Sequence, residues 1–198
     1  MGAADVTIKN WQAPGESRRF TFDFTDILES GDTITGTPTF TQTHPRGSAL
    51  TVAFVQLLAT STKVEARISG GTNDTEYAIT CDADTTDGDT LRVVGQLRIT
   101  QDEVAPEDVH IIPGESRLYT FDFAGRLYTS DTLASGEAVT QLAGQALTIT
   151  AVSRASNKVT ARVTDAVHGQ AYKLLAAAVT TGGDTLNIIG ELRGSDLP

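Results

Sequence analysis

The chain has 198 residues, a net charge of −10 and 39% hydrophobic residues, a composition typical of a soluble globular protein. No apolar run approaches the roughly 20 residues that a helix needs to cross a bilayer, so a helical membrane protein is excluded. The acidic charge is divided evenly, with 13 acidic and 8 basic residues in 1–100 and 12 and 7 in 101–198, and it argues against binding to nucleic acid.

The N-terminus lacks a basic start followed by an apolar stretch, so we expect no cleavable export signal and synthesis in the cytoplasm. Gly2 fits a myristoylation motif, but Val6 stands where that motif has Ser or Thr, so we expect no lipid. Cys81 is the only cysteine, which excludes an intrachain disulfide and a four-cysteine zinc site. We expect it to be a small buried residue of a strand.

One segment of the chain occurs twice. Residues Pro14–Phe24 read PGESRRFTFDF, and residues Pro113–Phe123 read PGESRLYTFDF, 99 positions later. Each copy begins with a turn signal and continues with aromatic residues at alternate positions, as in a strand with one buried face. Further matches at offsets of 97 and 95 follow. The repeat predicts a first domain over 1–100, a linker over 101–108 and a second domain over 109–198.

The segments of the first copy predict strands separated by turns. Trp11 ends a weakly alternating leading strand and is predicted to be a core anchor, with an interface residue as the alternative. Pro38 cannot donate to a ladder, so the strand that contains it lies at an edge or is broken there. Residues Ala49–Leu58 fit one long strand or two. Residues Lys63–Ile68 place apolar side chains on one face and charges on a solvated face.

Seven or so short strands per copy, with turn signals at regular spacing and no amphipathic helical window, predict an all-β protein. We expect two tandem immunoglobulin-like antiparallel β-sandwich domains. The cysteine–tryptophan–cysteine signature of antibody domains is absent, so the description applies to the layers and the strand count and not to ancestry.

The densest acidic cluster, Asp82–Asp89, includes a glycine and suggests a calcium loop. It fails the EF-hand pattern, because the step from Asp84 to Asp87 is three residues and the twelfth position, Val93, cannot supply a bidentate carboxylate. The second copy has only one acid in the matching segment. We interpret the cluster as a solvated hairpin and keep a cation site as the alternative.

Other side chains that could take part in catalysis or metal binding do not form a recognisable site. His44, His110 and His168 lie in unmatched places without zinc-ligand spacing, and no nucleophile elbow occurs. Asp23 and Asp122 recur in the aromatic strands and are predicted to point to solvent or to a backbone N–H of the next strand. We therefore predict no catalytic residue, no cofactor-binding residue and no metal ligand, and a protein that is not an enzyme.

Three segments of the first copy resemble the small fiber-tail adaptor domains of phages: RFTFDFTDILESGDTI at 19–34, VEARISGGTNDTEYAITC at 64–81 and TTDGD at 85–89. The resemblance covers most of residues 14–99. The second copy keeps Phe121–Phe123, Asp131–Thr132, Tyr172 and Thr180–Asp184, but TDAV at 164–167 replaces the SGGT loop of the first copy. It looks like a diverged duplicate, and the resemblance implies that the two loops make different contacts.

The resemblance implies a non-enzymatic structural protein of a tailed bacteriophage virion, an adaptor that joins fibers or other appendages to the tail. Expected partners are other virion proteins, including tail, fiber or capsid subunits, in a symmetric homo-oligomer on the particle, with no nucleic acid and no membrane. Two alternatives remain open. One is a capsid decoration or cement protein, and the other is a carbohydrate- or host-surface-binding module, aided by calcium at Asp82–Asp89.

Overall fold

A computed structural model of the chain describes residues 9–12, 15–44, 50–58, 61–100, 109–128 and 130–195. The chain divides into two compact units, residues 1–101 and 102–198. The predicted linker, 101–108, lies outside the described residues. None of the helical structure in the described ranges is long and apolar enough to cross a membrane.

Within its described residues, the first unit has seven strands that form two sheets. One sheet has the order β1-β7-β6-β3 and the other the order β2-β5-β4. Strand β1 pairs in parallel with β7, and the other described pairs are antiparallel. The strands are β1 Lys9–Gln12, β2 Ser17–Asp23, β3 Ile34–His44, β4 Leu50–Leu57, β5 Lys63–Gly70, β6 Thr75–Thr85 and β7 Thr90–Ile99.

The second unit repeats this arrangement. Its sheets have the orders β8-β14-β13-β10 and β9-β12-β11, and its first strand again pairs in parallel with its last. A single turn of 3-10 helix, Ala124–Arg126, follows the aromatic strand. The strands are β8 Val109–Ile111, β9 Arg117–Asp122, β10 Leu133–Ala143, β11 Thr148–Ala155, β12 Lys158–Thr164, β13 Ala171–Thr180 and β14 Thr185–Gly194.

The connectivity of each unit is that of an immunoglobulin-like sandwich. The second, fifth and fourth strands form one sheet, and the third, sixth and seventh strands form the other, as strands B, E, D and C, F, G do in that fold. The hydroxyl of Tyr77 accepts a hydrogen bond from the N–H of Thr72 at 2.7 Å, and that of Tyr172 accepts one from Val167 at 2.7 Å. Both form the tyrosine corner of such sandwiches. The predicted fold class is confirmed.

The repeated aromatic strands build the two cores. Phe20, Phe22 and Phe24 are buried in the first unit, because alternate side chains of a strand point to the same face. Their counterparts in the second unit, Tyr119, Phe121 and Phe123, are buried as well. Each set belongs to a hydrophobic cluster made only of residues from its own unit. Each unit therefore has its own core.

Three strands of the first unit refine the predictions from sequence. Strand β3 ends its sheet, and its register shifts between Thr35 and Thr39, around Pro38. The apolar run forms the single strand β4. The expectation of a fully solvated polar face on β5 is wrong at Glu65, which is 1% exposed and accepts a hydrogen bond from Gln56 Nε2 at 2.9 Å. The core placement predicted for Trp11 concerns a side chain outside the described part of the structure.

Candidate interaction surfaces

Two loops of the first unit are locked together at one end of the sandwich. Asp32, in the connection from β2 to β3, accepts a hydrogen bond from the Thr86 hydroxyl at 2.5 Å and one from the Thr33 N–H at 2.8 Å. The N–H of Thr86, in the hairpin between β6 and β7, donates to the Thr33 carbonyl at 2.9 Å. We call this set of contacts the loop clamp. It fixes the β2–β3 loop against the β6–β7 hairpin.

The second unit contains the same clamp. Asp131 accepts hydrogen bonds from the hydroxyls of Thr180 and Thr181 at 3.0 and 3.4 Å. The N–H of Thr181 donates to the Thr132 carbonyl at 2.8 Å. The two short motifs on which the family resemblance partly rests, Asp-Thr and Thr-Thr-x-Gly-Asp, thus meet in space in both copies. Their joint recurrence was the only sequence signal for this contact.

The carboxylate of Asp32 is held in its ionised form. The hydrogen bond from Thr86 is the largest contribution, and bonds from the backbone N–H groups of Thr33 and Asp87 add to it, so the pKa lies below its ordinary value of 3.8 although burial opposes the shift. A clamp that depends on an ionised acceptor is strongest at neutral pH. Each of these contacts joins two parts of the first unit.

The acidic hairpin of the first unit is tied down by cross-strand pairs. The carboxylate of Asp82 accepts two hydrogen bonds from the Arg92 guanidinium, at 2.6 and 3.0 Å, and this pair raises the pKa of Arg92. Asp84 accepts a hydrogen bond from the Thr90 hydroxyl at 2.7 Å. Within the described ranges, no three His, Cys, Asp or Glu side chains lie together as metal ligands would. Asp82 and Asp84 thus take part in sheet pairing.

The recurrent aspartates, Asp23 and Asp122, are the last residues of the aromatic strands β2 and β9. Asp23 accepts hydrogen bonds from the N–H and the hydroxyl of Thr25 at 3.0 and 2.6 Å, and Lys63 Nζ lies 2.7 Å from its carboxylate. Burial acts to raise the pKa of Asp23, but the bonds from Lys63 and Thr25 outweigh it and lower the pKa. Asp122 accepts from the N–H of Ala124 at 2.9 Å. The backbone N–H that each aspartate binds belongs to the residue two positions later in the same segment, Thr25 or Ala124, and not to the next strand as predicted. The next strand contributes the lysine instead.

Packing explains why the loop between β5 and β6 of the first unit has a glycine at position 71. Gly71 has φ +93°, and a Cβ placed on it would lie 2.8 Å from Ile99 Cγ1 and 3.1 Å from Leu50 Cδ2. The tyrosine corners align Thr72 with Val167, so the counterpart of Gly71 is Ala166, which is buried in the second core. The loop difference between the copies therefore changes how each core is closed.

The remaining candidates from sequence are the three histidines and Cys81. His168 lies in an exposed turn after β12, whereas the side chains of His44 and His110 are outside the described part of the structure. Cys81 is fully buried in β6, and burial, with a smaller effect of Asp82, raises the pKa of its thiol to about 12. The thiol is protonated at neutral pH and shielded from reagents.

A comparison with models of known protein families finds one family that matches the chain. The model of a family described as podophage GP4 fiber-tail adaptor protein gp77 matches residues 12–98 and, separately, residues 112–188. The two matches coincide with the two sandwiches. A comparison with the curated proteins gives no match.

Among the solved structures similar to the chain are a titin chimera and two proteins described by their immunoglobulin domains. A chimeric titin Z1Z2 carrying a KLER peptide from decorin has 10% identity, covers 96% of this chain and 94% of its own, and gives a TM-score of 0.32. The Ig1-2 module of the Drosophila receptor protein tyrosine phosphatase DLAR has 11% identity, 95% coverage of both chains and a TM-score of 0.31. Sidekick-1 immunoglobulin domains 1–4 have 11% identity, cover 96% of this chain and 50% of their own, and score 0.31.

The fold assignment rests on the strand order and the tyrosine corners. The family assignment rests on the two matched regions, which together span more than half of the sequence. Each region contains one aromatic strand, one loop clamp and one tyrosine corner. The chain belongs to the podophage fiber-tail adaptor family.

Proposed function

We propose that this protein is a non-enzymatic adaptor that joins fibers or other appendages to the tail of a phage particle. The observation that carries the proposal is the match of the adaptor family to both domains. Membership of that family gives a structural role in the virion and contacts with other tail or fiber proteins. The proposal adds that the chain performs no chemistry and that it acts in several symmetric copies.

The use of the acidic side chains supports a structural protein. Asp23, Asp32 and Asp82 hold a strand exit, a pair of loops and a hairpin. Each accepts hydrogen bonds from groups of the same domain. Side chains committed to such bonds stabilise rigid loops, and rigid loops lower the entropic cost of binding a partner.

The expected life cycle of the subunit follows from its charge and its cysteine content. A fold whose one cysteine is a buried thiol needs no disulfide and suits the reducing cytoplasm of the host, where we place its synthesis. A net charge of −10 keeps subunits apart in solution and disfavours both nucleic acid and anionic membrane surfaces as partners. Assembly into symmetric copies then takes place on the particle.

The experiment that tests the proposal is to locate the chain on intact phage particles. Particles that carry an epitope-tagged chain are labelled with a specific antibody fragment and imaged by cryo-electron microscopy. We expect added density in a symmetric ring at the tail where the fibers attach. Density on the faces of the capsid and none at the tail would overturn the proposal in favour of a capsid decoration protein.

A further inference from the structure

Strand β4 ends the β2-β5-β4 sheet of the first unit, and in the described part of the chain it pairs with β5 alone. Its five residues Leu50–Phe54 keep an unbroken register with Gly70–Ala66. Residues Leu50–Leu57 include no charged side chain and no proline. An edge of this kind is the type to which another strand adds, and proteins usually protect it.

The hydrogen-bonding pattern of β4 fixes the direction of the backbone groups along this edge. The N–H of Leu50 donates to Gln42 Oε1 at 3.2 Å, so Leu50 and Gly70 form a non-hydrogen-bonded pair. In an antiparallel ladder such pairs alternate with hydrogen-bonded pairs. The N–H and C=O groups of Val52 and Phe54 therefore point away from β5, off the edge of the sheet. They offer a short ladder of donors and acceptors to an extended chain.

The second copy has the same edge but protects it. The N–H of Leu147 donates to Gln141 Oε1 at 2.9 Å, which aligns Leu147 with Leu50 and β11 with β4. In β11 the register breaks after Thr150, and the next residue, Ala151, has φ +49°. Arg154 then reaches across to β10, where it donates to the Leu133 carbonyl at 2.8 Å.

The first copy shares the register shift but lacks the charged side chain. The residue that corresponds to Ala151 is Phe54, which stays paired with Ala66 before the register shifts between Phe54 and Gln56, and the residue that corresponds to Arg154 is Leu57. The two domains share their fold, so the arginine is not required by it. A charged side chain that spans the edge is a means of preventing strand addition, and in this matched pair β11 has one where β4 has Leu57.

We infer that β4 is the docking edge of this adaptor and that it receives an extended strand of another virion protein. The inference rests on the proposed adaptor function and identifies the part of the chain that performs it. Main-chain hydrogen bonds to Val52 and Phe54 supply affinity, and side chains on alternate positions supply specificity. The incoming strand carries apolar residues on the face that covers the half-buried side chains of Val52 and Phe54.

The charged side chains on the outer face of the sheet indicate which residue type the incoming strand carries on its other face. On the outer face of the sheet, Arg19 lies opposite Arg67, and Arg67 lies opposite Ala53. Both arginines also interact with other groups of the chain. A residue of an incoming strand that lies opposite Ala53 extends this row by one strand, at a spacing of about 4.8 Å. The long Arg67 side chain can reach that residue, because the side chain of Ala53 between them is small. We expect an acidic residue at that position, which a second copy of the neutral β4 strand does not provide.

The test uses full-length protein assembled into phage particles. In one arm, exposed Val55→p-benzoylphenylalanine is irradiated and the cross-linked peptides are identified by mass spectrometry, with Ser153→p-benzoylphenylalanine, at an exposed position of β11, as the control. We expect a cross-link from position 55 to an extended segment of a tail or fiber protein, and none to such a segment from position 153. A cross-link from position 55 to β4 of a second copy, or no cross-link, would overturn the inference.

A second arm blocks the edge without disturbing the fold. The substitution Val52→Pro removes an N–H that faces away from the sheet, a position at which proline is tolerated, and Ile149→Pro does the same in β11. If both variants fold, as judged by circular dichroism, we expect Val52→Pro particles to lose at least tenfold of the bound partner and Ile149→Pro particles to keep it. Equal retention by the two variants would contradict the inference.

Hydrogen exchange covers the case in which Val52→Pro fails to fold. In the unmodified chain, we expect the amides of Val52 and Phe54 to exchange rapidly in the isolated protein and at least tenfold more slowly in the particle. Unchanged exchange on a tail that does contain the chain would reject the docking edge and leave the adaptor function intact. Absence of the chain from the tail would instead reject the adaptor function and the docking edge together.

Discussion

Gly71 and Gly88 have nearly the same backbone conformation in different surroundings. Their φ angles are +93° and +91°, but a Cβ on Gly71 would contact Ile99 at 2.8 Å, whereas a Cβ on Gly88 would meet nothing within 4 Å. We expect Gly88→Ala to cost only the strain of the left-handed region, about 1 kcal/mol, and Gly71→Ala to cost roughly 3 kcal/mol, because overpacking is added. Denaturant unfolding of the two variants measures both values. Equal costs would contradict the packing explanation.

The loop clamp of the first unit makes stability depend on pH through Asp32. The pKa of this carboxyl is lower in the folded chain than in the unfolded chain. The carboxylate therefore stabilises the fold above the unfolded pKa, and this stabilisation is lost as the pH falls through the folded pKa. We expect Asp32→Asn to lower the Tm at pH 7 and the difference from the wild type to shrink below pH 3.8. A difference that is constant with pH would exclude this carboxylate as the cause.

Cys81 provides a test of core integrity. Because it is fully buried and its thiol has a pKa of about 12, we expect no reaction with Ellman's reagent at pH 8 in the folded protein. One thiol per chain should react at once in guanidinium chloride. Rapid labelling of the native protein would show that β6 is more open than the structure indicates.

At the scale of elements, the tyrosine corners are expected to stabilise the loop before β6 and the loop before β13. Removal of the hydroxyl in Tyr77→Phe or Tyr172→Phe deletes the acceptor for the N–H of Thr72 or Val167. We expect each change to lower the free energy of unfolding by about 1–3 kcal/mol, since the N–H group loses its partner. Chemical denaturation with Tyr128→Phe as the control checks this, because Tyr128 lies outside both corners.

The elements could be predicted from sequence where alternation is strong, and the contacts between them could not. Phe20, Phe22 and Phe24 alternate at the period of a strand and are all buried as expected. The clamp joins Asp32 to Thr86, 54 positions apart, and no local pattern encodes such a pair. The burial of Glu65 does not follow from its sequence pattern for a related reason. Periodicity shows which face a side chain occupies but not what covers that face.

At the scale of the whole molecule, two separate cores predict two folding units. The hydrophobic clusters contain residues of one unit each, so neither sandwich depends on the other for its core. We expect residues 1–101 and residues 102–198, expressed separately, each to show a cooperative thermal transition and β-type circular dichroism. A fragment that stays unfolded, while the full chain unfolds in a single transition, would contradict this expectation.

Corresponding loop positions hold Gly71 in the first copy and Ala166 in the second, and this difference affects the stability of any domain formed by recombination between the copies. Two similar segments in one gene are substrates for recombination, which can produce hybrid domains. A hybrid with an alanine in the first loop would force its Cβ against Ile99, and one with a glycine in the second loop would remove a buried methyl group from the core. Hybrid domains with exchanged loops would therefore be less stable than either parent domain.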